Sequence, residues 1–300
     1  MSKKIKNETV YRVNHLPGEE IDLDAELDNK QSYHEYNEDG NLLLEIAYTQ
    51  DGEIADKIEY RYDEKGHLLE TLVYGEDDDV LERKEVIRDD NGRTIQEITH
   101  YLDGSADTHE YFYNDDGLLT GFQVKDDEDE IESSEKYTYE GAKVVKVERW
   151  DDDNELIFSQ EDKFQDGIIS SRKIWSAEDG EPYTFITDFN AAGHREQERR
   201  FNSRDQLIER NIYEEDGNGR VIRIVEENKQ RKNTTEFEFD ERGNLIRQVE
   251  TDLNGDLNHE VFRQYSDDGE LMMTTVEAVV KASGAIRAYS LVFRRNYFND

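Results

Sequence analysis

Hydrophobic and polar residues alternate along short stretches of this chain, and turn sequences separate the stretches. Ile58, Tyr60 and Tyr62 alternate with charged residues, which is the period-two pattern of a β-strand with rings on one face and charges on the other. Gly66 follows Tyr62 by four residues, and an apolar pair beginning at Leu68 opens the next stretch. The pattern therefore predicts a β-hairpin with glycine at its turn.

The same hairpin unit recurs along most of the chain. Its turn glycine returns every 24 to 26 residues, at Gly40, Gly66, Gly92, Gly117, Gly141, Gly167, Gly193, Gly217, Gly243 and Gly269. A weaker turn falls in the middle of each unit, as at Asp51 and Gly52. Ten units of two strands each predict an all-β antiparallel meander of about twenty strands. Turns about every dozen residues leave no window for a packed helix.

The number of strands also bears on the shape of the sheet. Strands twist, and open sheets of more than about ten strands tend to curl or split. We therefore predict a curved or spiralling open sheet, solenoid-like, with the rings on its concave face. A closed barrel and a propeller are alternatives, and the propeller is less favoured because a four-stranded blade needs about twice the observed period.

Three regions follow from the extent of the repeat. The hairpin array spans residues 33–275, and residues 1–32 read as an N-terminal cap or leader. Residues 276–300 are the most apolar segment and read as a C-terminal capping hairpin. Caps are expected because terminal repeats must cover an otherwise open sheet edge.

The chain is strongly acidic, with a formal net charge of −37. Residues 1–150 carry −24 and residues 151–300 carry −13, so the acid is concentrated in the first half. This balance argues against nucleic-acid binding and against an anionic membrane surface. Acidic runs coincide with the mid-unit turns and predict an acidic rim on the sheet, with Asp77, Asp78, Asp127 and Asp152 as candidate binding residues.

The sequence carries no sign of export or of catalysis. It has no cysteine, no visible secretion signal and no apolar run long enough to span a bilayer, so we predict a cytoplasmic protein. Motifs for nucleophilic, phosphate-binding or zinc-dependent chemistry are absent. We predict a non-enzyme without a cofactor. The acidic turns read as solvated turns, with a weak cation site as the alternative.

Aromatic residues are the other candidates for binding. Tryptophan is enriched in binding hot spots, although large rings are also common core material. The candidate residues are Tyr60, Tyr62, Tyr111, Tyr113, Trp150 and Trp175.

The unit running from Tyr60 through Tyr62, Asp63 and Gly66 to Leu69 resembles the YD repeat of the Rhs and teneurin proteins. The resemblance extends with variation over about residues 33–275. It implies a spiralling β-sheet shell, which in large members encloses a toxin. This chain is much shorter and lacks the Asp-Pro-x-Gly cleavage region of such shells.

Three functions remain open from the sequence. The leading one is a non-enzymatic repeat scaffold that binds another protein through its concave face or acidic rim. The second is a cytoplasmic immunity or inhibitor protein that neutralises a basic toxin or nuclease by electrostatic steering. The third is a glycan-binding or carbohydrate-active protein that uses aromatic platforms with carboxylates.

Overall fold

The computed structural model describes residues 4–75, 77–178 and 180–298. Glu76 and Asp179, which belong to two predicted mid-unit turns, lie outside the described residues. So do residues 1–3 and 299–300 of the predicted caps.

The described residues form strands joined by turns and contain no helix, which confirms the all-β prediction. Accordingly, no helix with the length and hydropathy of a membrane span occurs among the described residues. The strands are β1 (Ile5–His15), β2 (Lys30–Tyr36), β3 (Leu42–Tyr48), β4 (Ile54–Tyr62), β5 (Leu68–Tyr74), β6 (Val80–Arg88), β7 (Thr94–Tyr101), β8 (Ala106–Tyr113), β9 (Leu119–Lys125), β10 (Ile131–Glu140), β11 (Lys143–Trp150), β12 (Leu156–Gln165), β13 (Ile168–Ser176), β14 (Tyr183–Phe189), β15 (Arg195–Asn202), β16 (Leu207–Glu215), β17 (Val221–Asn228), β18 (Lys232–Phe239), β19 (Leu245–Thr251), β20 (Leu257–Tyr265), β21 (Leu271–Val280) and β22 (Ala285–Tyr297).

The 22 strands close into a barrel, so the prediction of an open, spiralling sheet is wrong. Each strand pairs antiparallel with the next along the chain, and β1 pairs with both β2 and β22. The closing pair runs from Ile5 opposite Tyr297 to His15 opposite Ala288. Residues predicted as a leader thus supply a wall strand. The division of the chain into cap, array and cap stays a prediction.

Curvature comes from a bulge that recurs in the hairpins. The register between β4 and β5 shifts between Arg61 and Tyr62, next to the Gly66 turn. Equivalent shifts lie beside Tyr36, Tyr113 and Tyr265. A bulge bends its strand and increases the local twist, and one in nearly every hairpin allows the two edges of a long sheet to meet.

The two faces of the wall differ in burial, and this identifies the inside. Residues opposite each other in antiparallel strands share a face, and the face that carries Tyr60, Tyr111 and Tyr213 is the more buried. Burial is the largest of the causes that raise the pKa of Tyr111 and of Tyr213 to about 12. On the other face, the side chains of Arg61 and Glu238 are 57% and 54% exposed. We call the tyrosine face the inner wall and the charged face the outer wall.

Residues 16–29 form a segment, here called the strap, that leaves β1 and crosses the outer wall. The amide of Gly18 donates to Glu277 Oε1 (2.9 Å), and Arg294 Nη2 donates to the carbonyl of Ala25 (3.2 Å). Burial is deepest in this part of the outer wall, at Ser290 and Val292. In the described part of the chain, strands touch only their two neighbours, so no second sheet packs on the wall there.

Alternate turns lie at the same end of the barrel because successive strands are antiparallel. One end, the glycine end, carries the turns with the repeat glycine, such as 63–67 and 89–93. The other, the mid-unit end, carries the turns between units, such as 49–53 and 126–130. The mid-unit end holds the candidate site.

Candidate functional site

The negative charge of the protein lies almost entirely outside its strands. The strands together carry −3 and the remaining segments −34, which add to the net −37. Lysine and arginine alternate with acids along the strands, as in the ion pairs of Arg61 with Glu70 (2.6 Å) and Arg223 with Glu214 (2.6 Å). The walls are therefore nearly neutral, and the net negative charge is concentrated at the ends of the barrel.

The charge at the mid-unit end is itself uneven. Six consecutive turns contain 19 Asp and Glu residues and no Lys or Arg: 49–53, 75–79, 102–105, 126–130, 151–155 and 177–182. We call these six turns the acidic arc. The next four turns, 203–206, 229–231, 252–256 and 281–284, contain four basic and three acidic residues. About half of one rim is thus a continuous negative surface.

In the turns 126–130 and 151–155 of the arc, the first aspartate stabilises the turn itself. Asp126 Oδ1 accepts the amides of Glu128 and Glu130, both at 2.9 Å. Asp151 Oδ1 accepts the amide of Glu155 at 2.8 Å. Such Asx hydrogen bonds stabilise the turn. Asp127 is exposed and plays no such part.

Three turns of the arc keep an acidic or amide residue where other turns have glycine. Gly52 and Gly104 donate their amides to the carbonyl three residues earlier and have positive φ, and the equivalent residues Asp78, Asp129 and Asn154 have φ of 60°, 65° and 58°. The left-handed region costs a side chain conformational energy, although Asp and Asn tolerate it best. Asp205 in the turn 203–206 and Asp166 at the glycine end have similar φ values of 57° and 51°, so this conformation is not confined to the arc.

The ten residues predicted for binding fall into three separate places. Tyr60, Tyr62, Tyr111 and Tyr113 lie on the inner wall, Trp150 and Trp175 on the outer wall, and Asp77, Asp78, Asp127 and Asp152 in the acidic arc. The four aspartates are exposed, and Asp78 pairs with Lys57 at 2.8 Å. The structure joins the aspartates in one surface and separates them from the tyrosines.

The tyrosines of the inner wall are engaged with the wall itself. Tyr60 donates to Glu45 Oε2 (3.3 Å) and Tyr213 to Glu198 Oε2 (2.5 Å). Tyr113 donates to the carbonyl of Thr94 (2.7 Å). These hydroxyl groups donate hydrogen bonds to acceptors on neighbouring strands, so the tyrosines help to hold the barrel together.

One part of the candidate surface carries no clear signal in the sequence. Phe112 and Trp150 stand on the outer wall on either side of Gly121, and they line a groove of about 440 Å³ that reaches Asn154 of the acidic arc. Phe112 is 43% exposed. Its neighbours Tyr111 and Tyr113 were selected from the repeat, but the outward-facing ring between them was not. The glycine inside strand β9 is the one cue that sequence reasoning could have used.

Metal binding has no preformed cluster in the described part of the chain. Among those residues, no three His, Asp or Glu side chains are grouped so that they could hold a metal ion. The weak cation site stays a prediction.

Comparisons with known proteins give only distant likenesses. No family model matches the chain, and no curated protein matches its sequence significantly. The TcdB2-TccC3-Cdc42 crystal structure has a TM-score of 0.32 and 12% identity, over 83% of this chain and 16% of that chain. A porin-like protein from Bacteroides uniformis has a TM-score of 0.31 and 8% identity, over 97% of this chain and 96% of that chain.

A third structure, TcdB2-TccC3 without its hypervariable C-terminal region, has a TM-score of 0.26 and 12% identity, over 89% of this chain and 19% of that chain. The chain thus spans between 16% and 22% of the TcdB2-TccC3 chains that it resembles. These scores are too low to carry an argument about family or activity. The resemblance to YD repeats stays a prediction.

Proposed function

We propose that this protein is a non-enzymatic scaffold that binds a basic protein through its acidic arc. The observation that carries the proposal is the run of six consecutive turns with 19 acidic and no basic residues, on a barrel whose walls are nearly neutral. A continuous field of one sign steers an oppositely charged partner and raises its association rate.

Closure of the barrel favours the acidic arc over the tyrosine face as the binding surface. In an open sheet the tyrosine face would be a broad concave surface for a partner. In the closed barrel the same face is the inner wall, and β1 paired with β22 leaves no lateral opening. A folded partner therefore meets the outer wall or an end, and the mid-unit end is where unpaired charge is concentrated.

An immunity or inhibitor protein is the second candidate, and the same arc favours it. A basic toxin or nuclease would be captured by the same steering, and its complex would have a steep salt dependence. The glycan-binding alternative needs tyrosine and tryptophan platforms on one surface. Since the tyrosines lie inside and the tryptophans outside, no observation favours it.

We further propose that the barrel works in water, in keeping with the predicted cytoplasmic location. Its outer wall carries ion pairs such as Arg247 with Glu238 (2.5 Å) and Lys146 with Glu148 (2.6 Å). A barrel that crosses a bilayer presents an apolar band on that face.

Two charge-matched variants test the proposed function. The arc variant carries Asp127→Asn, Glu128→Gln, Asp152→Asn and Asp153→Asn, which leaves the turn-forming Asp126 and Asp151 in place. The control carries Asp115→Asn, Asp116→Asn, Asp267→Asn and Asp268→Asn, four exposed acids at the glycine end. Both variants change the net charge by the same amount.

Partners are captured from cell extract at low and high salt, identified, purified and titrated against each variant. We expect a basic partner whose affinity falls at least about tenfold with the arc variant and with added salt, and stays unchanged with the control. Equal losses in the two variants, or binding insensitive to salt, would contradict the proposal.

A further inference from the structure

The groove between Phe112 and Trp150 has a floor set by the strand register. On the outer wall, Phe112 of β8 is opposite Gly121 of β9, which in turn is opposite Lys136 of β10. The adjacent row places Ser134 opposite Trp150. Glycine and serine rise little above the backbone, so the two rings stand as walls on either side of a low floor. We call this feature the aromatic groove.

The low floor is fixed by the backbone. A Cβ atom built on Gly121 would overlap the carbonyl oxygen of Glu135 on the neighbouring strand. Among the described residues, Gly121 is the only glycine inside a strand. The close approach of β9 to β10 therefore excludes any side chain at this position, and the floor does not depend on a rotamer.

The aromatic groove is continuous with the acidic arc. Trp150 is the last residue of β11, and the turn 151–155 that follows it contributes Asn154 to the groove. The neighbouring turn 126–130 leads into β10. These two turns hold nine of the 19 acidic residues of the arc. An exposed aromatic pocket beside a charged rim is the usual arrangement of an interface hot spot.

The charge inside the groove selects what enters it. Lys136 lines the groove and is exposed, and it makes no ion pair with any described residue. A cation placed on the floor would be repelled by Lys136. Cations of a partner are attracted instead to the turns above, which leaves the floor and the two rings for an apolar group.

We propose that the aromatic groove anchors the basic partner by taking one apolar side chain from a segment rich in Lys and Arg, whose cations pair with the turns 126–130 and 151–155. This inference rests on the proposed function and names the contact that gives the complex its lifetime. The arc sets how fast the partner arrives, and the groove sets how tightly it stays.

Short peptides test the groove without knowledge of the natural partner. The probes are KKKLKKK, KKKGKKK and EEELEEE, titrated at low salt into the full chain carrying Trp175→Phe, so that Trp150 is the remaining tryptophan and reports by fluorescence. We expect KKKLKKK to bind about tenfold more tightly than KKKGKKK, because binding in the groove removes the apolar surface of the leucine side chain from water. We also expect it to change the Trp150 emission.

Two variants in the same background separate the groove from other exposed rings. Phe112→Ala removes one wall and should abolish the leucine advantage. Phe262→Ala removes a ring of similar exposure, 37%, elsewhere on the outer wall and should preserve it. Thermal unfolding of both variants shows whether each is folded.

The outcomes distinguish the groove from the arc. Equal binding of the two lysine peptides, lost in the arc variant, would overturn the groove and leave the acidic arc as the binding surface. A leucine advantage that survives Phe112→Ala would also overturn the groove. Failure of every lysine peptide to bind, or equal binding of EEELEEE, would overturn the groove together with the proposed function.

Discussion

The hydroxyl of Tyr62 donates a hydrogen bond of 2.8 Å to the carbonyl oxygen of Leu42, twenty residues earlier on the neighbouring hairpin. The pairing of β3 with β4 begins only at Leu44, so β4 provides no backbone partner opposite Leu42. Tyr113, Tyr139 and Tyr265 make the same bond to Thr94, Leu119 and Leu245, at 2.7, 2.7 and 3.0 Å. The repeat tyrosine thus bonds to a carbonyl that lies beyond the backbone pairing of the two strands.

This bond also explains a departure from the repeat. Arg88 stands where other units have a ring, and its Nη2 donates to the carbonyl of Leu68 at 3.3 Å. A second departure, Lys163, is resolved differently. Lys143 Nζ lies 4.8 Å from the ring centroid of Phe164, as Arg93 lies 4.9 Å from that of Tyr113, so Phe164 takes the ring position.

Tyr62→Phe should destabilise the barrel by about 1–2 kcal/mol, because a half-buried carbonyl loses the hydrogen bond from Tyr62 while the ring is kept. Urea unfolding followed by circular dichroism measures the change. Tyr48→Phe is the control, since the Tyr48 hydroxyl makes no hydrogen bond with the described residues. Equal effects of the two substitutions would show that the bond to Leu42 contributes nothing.

Gly121→Ala should destabilise the barrel by about 1–3 kcal/mol, because the new methyl group overlaps the Glu135 carbonyl and the strands must shift apart. Gly104→Ala tests a glycine with open space around it but a φ of 91°, where the cost is conformational and about 1 kcal/mol. Thermal unfolding compares the two. A neutral Gly121→Ala would mean that β9 and β10 are not held close.

The carboxyl group of Asp216 should titrate well below its usual range. Hydrogen bonding to the Arg220 side chain (Nε to Oδ2, 2.7 Å), together with the backbone amide of Arg220, lowers the pKa of Asp216 to about 2. Since the pKa is depressed in the folded state, the stability it contributes is present above about pH 4 and is lost as the pH falls towards 2.

Carbon-13 NMR of the Asp216 carboxyl group measures this value. Arg220→Gln should raise the pKa of Asp216, while Arg204→Gln, which removes a charge from another turn, should leave it unchanged. An Asp216 that titrates in its ordinary range in the native protein would contradict the contact with Arg220.

Asp129→Gly should stabilise the protein by up to about 1 kcal/mol, because glycine adopts the left-handed φ of 65° without strain. The same change removes a charge from the acidic arc and should weaken binding of the lysine peptides. Asp127→Gly removes a charge from the same turn without relieving positive φ, so it should weaken binding without the stability gain. Equal stabilities of the two variants would show that Asp129 is not strained.

The repeat itself was readable from the sequence because its causes are local. Alternation around Tyr60 and Tyr62 fixes strand faces, and glycine at Gly66 fixes the turn, since both depend on only a few neighbouring residues. The all-β class and the hairpin order follow from these features. The position of the acidic rim was also predictable, because the mid-unit turns alternate with the glycine turns along an antiparallel meander.

Closure was decided only by the tertiary structure. Whether β1 meets β22 depends on twist and bulge summed over the whole sheet, and a small change per hairpin would separate the edges. The aromatic groove is tertiary as well, since Phe112 and Trp150 are three strands apart and share a cavity only because β9 and β10 approach closely at Gly121. The sequence determined what each hairpin is, and the accumulated curvature of 22 strands determined which surfaces face inward, outward and to the ends.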